Sequence, residues 1–185
     1  MSTSSTSIPS ASSASTTPAK ICKVVVQQCI KAGLKFDTAD APVSIGKGMV
    51  VFICFLHGAT PDRIDSIVKA IMTVKLSEPD LPSSETSNSG ESSSNNVRRK
   101  SVVDCDYDIL VVPQATLGGK LKGTGVQYHG LVSKDLGFEL FHGFVKALKE
   151  FKAGARKGNV ECGVYGARQI LNMETNGPFT HVFEF

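Results

Sequence analysis

The sequence has no tryptophan, and no apolar run in its 185 residues approaches the roughly 20 residues that span a bilayer. We therefore expect no membrane partner. Five cysteines occur without any CxxC spacing, at Cys22, Cys29, Cys54, Cys105 and Cys162. Close ligand pairs and an even cysteine count are both missing, which predicts no metal site, no disulfide framework and a reducing, cytoplasmic location.

Signatures of several enzyme classes are absent as well. No stretch fits GxxxxGK[ST], GxGxxG or GxSxG, which argues against nucleotide hydrolases, dinucleotide-binding enzymes and hydrolases with a nucleophile elbow. No acid–base pair is visible, although His129 and His181 are candidates for lining a site, and His142 falls on a predicted helix. We therefore predict no cofactor and, for an enzyme, catalysis by binding and orientation.

The charge balance points only weakly to a partner. A formal net charge of +3 is too small to diagnose nucleic-acid binding, though a local patch could serve. The glycine-rich stretch 118–125 carries Lys120 and Lys122 and could approach an RNA backbone closely; a plain flexible loop is the alternative. Residues 98–101 are either a phosphate-contacting or phosphorylated patch or a solvated charge run.

Two polar stretches delimit the folded part. Residues 1–19 are nearly all Ser, Thr, Ala and Pro, and offer too little apolar surface to offset the entropy of ordering. Residues 77–101 are similarly polar, and a long loop adds little closure entropy. We predict a disordered Ser/Thr-rich tail over 1–19 and one domain over 20–185, with a polar loop insertion at about 77–101.

The apolar pattern of that domain predicts two helices and several strands. Apolar residues recur at helical spacing between 64 and 72 and again between 133 and 152. A continuous apolar run at 49–56 is typical of a buried strand. Further strands are predicted at 21–30, 108–112, 159–165, 168–174 and 179–185. The order ββα, β, α, βββ predicts a single α+β domain in which a mixed β-sheet packs with two main helices.

Two short segments follow or separate these strands. The first follows a predicted buried strand and reads Pro113-Gln114-Ala115-Thr116-Leu117. The second links the last two predicted strands and reads Thr175-Asn176-Gly177-Pro178-Phe179-Thr180-His181. Glycine permits backbone angles closed to other residues, while proline fixes φ and lacks an N–H donor. Such a pair gives a stiff edge with few side chains, suited to testing a ligand's shape. An ordinary turn is the alternative.

Together the two segments resemble the motifs of the D-aminoacyl-tRNA deacylase family. That family carries Ser-Gln-Phe-Thr-Leu after a central strand and Asn-x-Pro-x-Thr near its C-terminus. Further similarity runs through residues 24–32, 45–50, 108–117 and 163–180. The resemblance covers about residues 20–76 and 102–185 and leaves out the two polar stretches.

The resemblance implies a homodimeric proofreading enzyme that hydrolyses the ester between an amino acid and the 3′ adenosine of a tRNA. Gln114, Ala115 and Thr116 would surround the ester as the catalytic residues, with backbone N–H groups holding the oxyanion. Water aided by the 2′-hydroxyl of the RNA would attack; Thr116 as nucleophile is the alternative. Each subunit's Gly-Pro segment would reach into its partner's site, where it binds substrate through Asn176, Gly177, Pro178, Phe179 and Thr180.

Departures from the family pattern point to a sister branch first described in animals. Ala115 replaces a usual phenylalanine, Gln28 replaces a usual arginine, and Arg168 precedes the final strands. In that branch the Gly-Pro segment turns outward, oriented by the pair corresponding to Gln28 and Arg168. The pocket is then roomier and accepts L-alanine mischarged on threonine tRNA. Strict D-selectivity and the isomer of the Gly177–Pro178 bond therefore stay open. A non-catalytic nucleic-acid-binding factor is the alternative function.

Overall fold

The computed structural model of the chain describes residues 19–37, 41–77, 99–154 and 158–185. The predicted tail over 1–19 and the predicted insertion at 77–101 lie almost wholly outside these residues. The described strands are β1 (Cys22–Cys29), β2 (Lys31–Phe36), β3 (Val43–Ile45), β4 (Gly48–Phe55), β5 (Lys75–Ser77), β6 (Lys100–Ser101), β7 (Asp108–Pro113), β8 (Lys120–Lys122), β9 (Gly125–Gln127), β10 (Val160–Cys162), β11 (Gln169–Glu174) and β12 (Thr180–Glu184). The described α-helices are α1 (Ile64–Thr73) and α2 (Lys134–Ala153).

The central sheet has the strand order β10-β7-β4-β1-β12. Its first three strands run parallel, whereas β1 pairs antiparallel with both β4 and β12. The predictions of a mixed sheet, two main helices and an α+β class are thereby confirmed. Within the described ranges, neither helix is long and apolar enough to cross a bilayer.

Both faces of this sheet are covered. Val24 and Val26 of β1 pack with α1 and α2 on one face. A small sheet of order β11-β2-β3 covers the other face, where Cys29 and Leu34 are buried. The central strand β4 contributes alternate residues to the two cores. Its continuous apolar run follows from this position, because a strand covered on both sides has no solvent face.

The small sheet is what the sequence pattern misses. β2 and β3 lie where no strand is predicted, and the strand predicted at 159–165 is confined to β10. In β2 the buried Ala32 and Leu34 alternate with Gly33 and lysines, too short an alternation to stand out. The interpretation of 118–125 as a plain flexible loop is wrong, because β8 and β9 pair there as a hairpin.

The buried thiol of Cys22 predicts a pH-dependent stability. Burial, with a smaller contribution from Cys54, raises the pKa of Cys22 from 9.0 to about 12. The folded state therefore holds this proton more tightly than the unfolded chain does. The resulting stabilisation is complete below pH 9 and is lost as pH rises toward 12, by about 1.4 kcal/mol per pH unit.

Urea unfolding of the wild type and of Cys22→Ala at pH 8 and pH 10 measures this contribution. The unfolding free energy should fall further in the wild type than in Cys22→Ala between the two pH values, by about 1.4 kcal/mol. The change in unfolding free energy with pH is compared rather than the absolute stability, because alanine also leaves a small cavity. An equal change with pH in the two proteins would show that the pKa of the Cys22 thiol is not raised in the folded state.

Candidate active site

β7 delivers the first motif to one end of the central sheet. Pro113 ends β7, and the Gln114 N–H then donates to the Ile53 carbonyl of β4 at 2.9 Å. The chain turns at once into a 3-10 helix over Ala115–Gly118. The motif is therefore held by a rigid strand on one side and a tight turn on the other.

The start of this turn offers two backbone donors. In a 3-10 helix each N–H bonds a carbonyl three residues earlier, so the first N–H groups have no partner within the helix. Here they are the N–H groups of Ala115 and Thr116, whose residues are both exposed. A ligand carbonyl placed against them would gain hydrogen bonds as negative charge develops on its oxygen.

The Thr116 side chain is oriented by its neighbour. The Gln114 side-chain amide Nε2 donates to Thr116 Oγ1 at 2.6 Å. An amide cannot take a proton from the hydroxyl, so this contact does not activate Thr116 as a nucleophile. The arrangement instead fixes the hydroxyl beside the two backbone donors.

A cavity of about 570 Å³ opens beside the motif. Gln114 and Ala115 form part of its wall. The rest comes from the strand β4, the end of β7, the loop before α2, the first turns of α2 and the turn after β10; these residues are Ile53, Cys54, Phe55, Pro113, Leu131, Val132, Lys134, Asp135, Phe138, Phe141, Tyr165, Gly166 and Ala167. A space of this size, apolar with a few polar groups at one side, suits a small organic group.

Cys54 lines the cavity next to the motif. Its Sγ lies 3.6 Å from the Ala115 carbonyl oxygen, to which the thiol donates. Burial is the main cause that raises the pKa of Cys54. The group is therefore a neutral thiol at neutral pH, and it shapes the wall rather than acting as a thiolate nucleophile.

Phe138 and Tyr165 are cavity residues that the sequence reasoning misses. Tyr165 follows β10 in a turn, and burial raises the pKa of its hydroxyl. Phe138 is 52% exposed although it lies on α2, whose core residues include Leu140, Phe141 and Phe144. A phenylalanine outside the buried stripe of its helix was the available signal.

The Gly-Pro segment lies at the opposite end of the sheet. Gly177 has φ +110°, where side chains are strained, and the Gly177–Pro178 bond is trans. The Gln28 N–H donates to the Phe179 carbonyl at 3.2 Å, which extends the β1–β12 ladder toward the segment. Asn176, Gly177, Pro178, Phe179 and Thr180 are all exposed, and none of them lines the cavity.

The strand register separates the two motifs. Pro113, at the first motif, lies level with Ile53 of β4, Val24 of β1 and Phe183 of β12. Phe179, in the Gly-Pro segment, lies level with Gln28, four residues further along β1. The Gly-Pro segment is therefore displaced several residues along the strands and three strands across the sheet. At about 3.3 Å per residue and 4.8 Å per strand, the two motifs of one chain are roughly 20 Å apart.

Gln28 and Arg168 are also apart in the single chain. The Gln28 side-chain amide donates to the Leu76 carbonyl. The Arg168 side chain, 88% exposed, has its Nε 3.9 Å from an Asp37 carboxylate oxygen. Their predicted role in orienting the Gly-Pro segment stays a prediction.

The remaining candidate residues lie outside the cavity. Lys120 and Lys122 are exposed on β8 of the hairpin, where an RNA-binding role stays a prediction. His129 is exposed, and His181 stacks on Phe183 with ring centroids 6.3 Å apart. In the described part of the chain, His181 Nδ1 is buried without a hydrogen-bond partner.

Backbone donors lie beside an aromatic cavity at the end of a mixed sheet, an arrangement that can bind and polarise a carbonyl group. The chain matches the family described as D-Tyr-tRNA(Tyr) deacylase over residues 25–184. It therefore belongs to the D-aminoacyl-tRNA deacylase family, as the two motifs predicted.

Relatives across most of the chain agree with this membership. D-aminoacyl-tRNA deacylase 2 of Danio rerio is 39% identical over 172 residues, covering 88% of this chain and 98% of that protein. The protein of the same name from Homo sapiens is 38% identical over 173 residues, covering 88% and 94%. D-aminoacyl-tRNA deacylase of Trichodesmium erythraeum is 30% identical over 164 residues, covering 88% and 95%.

Solved structures share the fold. A probable eukaryotic D-amino acid tRNA deacylase superposes with a TM-score of 0.72 at 29% identity, covering 89% of this chain and 99% of that one. A c-Myc DNA unwinding element binding protein reaches 0.70 at 22% identity, covering 88% and 98%. The second likeness shows the fold alone.

Gly137→Ala tests whether Tyr165 shapes the site. A Cβ at Gly137 on α2 would lie 2.1 Å from the Tyr165 hydroxyl oxygen, so the ring must move. Alanine also favours the helix by about 1 kcal/mol, which offsets the packing cost. We expect little change in Tm and a loss in kcat/KM of about tenfold, because a displaced wall misplaces the substrate.

Tyr165→Phe provides the matched control for this change. Phenylalanine lacks the hydroxyl that the new methyl would meet, so the Gly137→Ala/Tyr165→Phe double variant should recover most of what Gly137→Ala loses. Steady-state deacylation by the four proteins measures the coupling. Wild-type activity in Gly137→Ala would show that Tyr165 does not position the substrate.

Proposed function

We propose that the protein hydrolyses the ester bond of D-aminoacyl-tRNA. The observation that carries the proposal is the pair of backbone donors at Ala115 and Thr116, which open beside a cavity large enough for an aminoacyl-adenosine end. Family membership supplies the substrate class. A non-catalytic nucleic-acid-binding role has less support, because it would not use these donors or this cavity.

The geometry supports a mechanism with few catalytic side chains. The ester carbonyl oxygen accepts hydrogen bonds from the Ala115 and Thr116 N–H groups, and water attacks the carbonyl carbon. The two donors stabilise the tetrahedral oxyanion. The neighbouring 2′-hydroxyl takes the proton that the attacking water loses and gives its own proton to the ribose 3′-oxygen, which leaves as the ester C–O bond breaks. Gln114 holds the Thr116 hydroxyl in place beside the reacting ester.

The complete site requires two copies of the chain. The Gly-Pro segment binds substrate in this proposal, yet it lies roughly 20 Å from Ala115 of its own chain by strand register. A homodimer solves this by placing each segment in the partner's site. The edge strand β12 supports such pairing because Val182 is 65% exposed there.

A dimer should persist at micromolar concentration in sedimentation equilibrium, because the active site depends on it. Val182→Asp places a charge in the exposed apolar patch of β12 and should weaken the dimer. Lys146→Asp, on the exposed side of α2, is the matched surface control. A wild-type protein that sediments as a monomer while fully active would contradict the two-chain site.

The selectivity of the site is proposed to be relaxed. Ala115 presents only a methyl group where a bulky side chain would narrow the cavity. Space for one methyl group changes the discrimination between two substrates by only about 1–3 kcal/mol. The site therefore accepts a small L-amino acid as well as D-amino acids. L-alanine on threonine tRNA is the proposed second substrate.

We place the enzyme in the cytoplasm, where tRNA is used and thiols stay reduced. No disulfide joins any of the five cysteines, all of which lie in the described residues.

Incubation with D-tyrosyl-tRNA and with L-alanyl-tRNA(Thr) tests the proposal directly. Both should release their amino acid faster than the uncatalysed rate. L-tyrosyl-tRNA is the negative control, because its amino acid has the wrong handedness and a large side chain. Release of neither D-tyrosine nor L-alanine at stoichiometric protein would overturn the hydrolase function.

A further inference from the structure

A second cavity of about 330 Å³ lies beside the first. Phe138 and Tyr165 line both cavities, and their rings meet edge to face with centroids 6.1 Å apart. Phe36, Val43 and Val164 make much of the remaining lining apolar. A chain-like ligand that fills the first cavity can therefore continue across this aromatic wall into the second.

His142 forms a platform with Phe138 at the second cavity. The two rings lie with centroids 4.0 Å apart and planes inclined by 40°. His142 Nδ1 is 2.8 Å from the Phe138 carbonyl oxygen, one helical turn earlier. Because a carbonyl only accepts, Nδ1 carries the hydrogen, and Nε2 of the neutral ring is an acceptor.

The platform is also open to a ligand. Phe138 is 52% exposed and His142 is exposed as well, while the hydrogen bond to the helix backbone fixes the imidazole orientation. An exposed aromatic pair at the edge of an apolar cavity is suited to a flat, unpaired ring. Unpaired nucleic-acid bases are bound in this way, by stacking on aromatic side chains.

The proposed function, on which the inference below rests, puts the 3′-terminal adenosine in the first cavity. We infer that the second cavity binds the base of the preceding nucleotide, stacked on Phe138 with its edge toward the His142 imidazole. The two cavities are adjacent and share two wall residues, as fits two nucleotides that are covalently joined at the RNA 3′ end. A volume of about 330 Å³ is at the small end of ligand pockets, which suits one base rather than several.

The acceptor at His142 Nε2 selects the base. A tRNA carries cytidine before its terminal adenosine, and the cytosine N4 amino group donates hydrogen bonds. Uracil presents a carbonyl oxygen at the same position, which would face the Nε2 lone pair without a hydrogen. The site therefore prefers cytidine to uridine next to the adenosine.

Binding of stable substrate analogues tests this pocket separately from catalysis. The ligands are 3′-(D-alanylamido)-3′-deoxyadenosine, the same compound extended by a 5′ cytidine, and the same extended by a 5′ uridine. Calorimetry measures their Kd for the wild type, His142→Ala, His142→Phe and Lys146→Ala. Lys146 is the matched control, because it lies exposed on α2 one turn beyond His142 and lines neither cavity.

The wild type and Lys146→Ala should bind the cytidine-extended ligand roughly tenfold more tightly than the adenosine compound. His142→Ala should lose most of this advantage, whereas His142→Phe should keep an aromatic wall beside Phe138 but no longer distinguish cytidine from uridine. Equal affinity of the wild type for the adenosine compound and the cytidine-extended ligand, or an unchanged advantage in His142→Ala, would overturn the base pocket alone. A wild type that binds none of the ligands would overturn the adenosine-binding function together with it.

Discussion

Replacing Ala115 by proline is expected to lower the rate constant for deacylation of bound D-aminoacyl-tRNA about 100-fold, the cost of one oxyanion donor. Proline differs from every other residue in lacking the backbone N–H. The change therefore removes the proposed donor itself rather than a side chain near it. Single-turnover deacylation at saturating protein measures the effect on the chemical step.

The fold should tolerate this proline. Ala115 is the first residue of the 3-10 helix, a position at which proline's fixed φ fits and an N–H has no intrahelical partner. Gln114, with φ −137° and ψ 80°, lies outside the helical region that a following proline disfavours. The Ala115 carbonyl remains available to the Cys54 thiol. The midpoint of urea unfolding should consequently change little.

Thr116→Ala is the control that separates backbone from side-chain catalysis. It removes the hydroxyl and its hydrogen bond from Gln114 but keeps both N–H groups. Activity within a few-fold of the wild type is expected. The opposite pattern, an active Ala115→Pro and an inactive Thr116→Ala, would reassign the chemistry to the threonine hydroxyl.

The central sheet and both helices were predictable because their burial produces a recognisable pattern of apolar residues in the sequence. β4 is covered on two sides and reads as one apolar run, while α1 and α2 bury one stripe each. The motif after β7 was predictable for a related reason. A buried strand that stops at Pro113 must deliver the next residues to an edge of the sheet.

Pairing between segments that are distant in the chain produces no such pattern of apolar residues. β2 is buried only because β11 and β3 flank it and the central sheet lies beneath it. Tyr165 and Phe138 meet at the cavity because the turn after β10 passes over the start of α2. The separation of the two motifs likewise depends on register across β7, β4, β1 and β12. Sequence order alone does not show how far apart the two motifs lie, whereas the register places them at opposite ends of the sheet.

This separation leads to a complementation experiment between two inactive variants. Gly177→Val forces a side chain onto a residue at φ +110°, where even a Cβ would lie 2.5 Å from the Phe179 ring. The Gly-Pro segment must shift, and a displaced substrate wall is expected to lower activity about 100-fold. The change lies far from Ala115 of the same chain, so a strong effect would itself point to the partner subunit.

Mixed dimers of Ala115→Pro and Gly177→Val, co-expressed with two different tags, should regain about half of the wild-type activity. One of their two sites combines an intact first motif from one chain with an intact Gly-Pro segment from the other. The second site carries both changes and stays inactive. Gly58→Val, at another left-handed glycine in an exposed turn, controls for backbone strain and should retain activity. Mixed dimers as inactive as either parent would place the segment's action within its own subunit, and the two-chain site would then have to be abandoned.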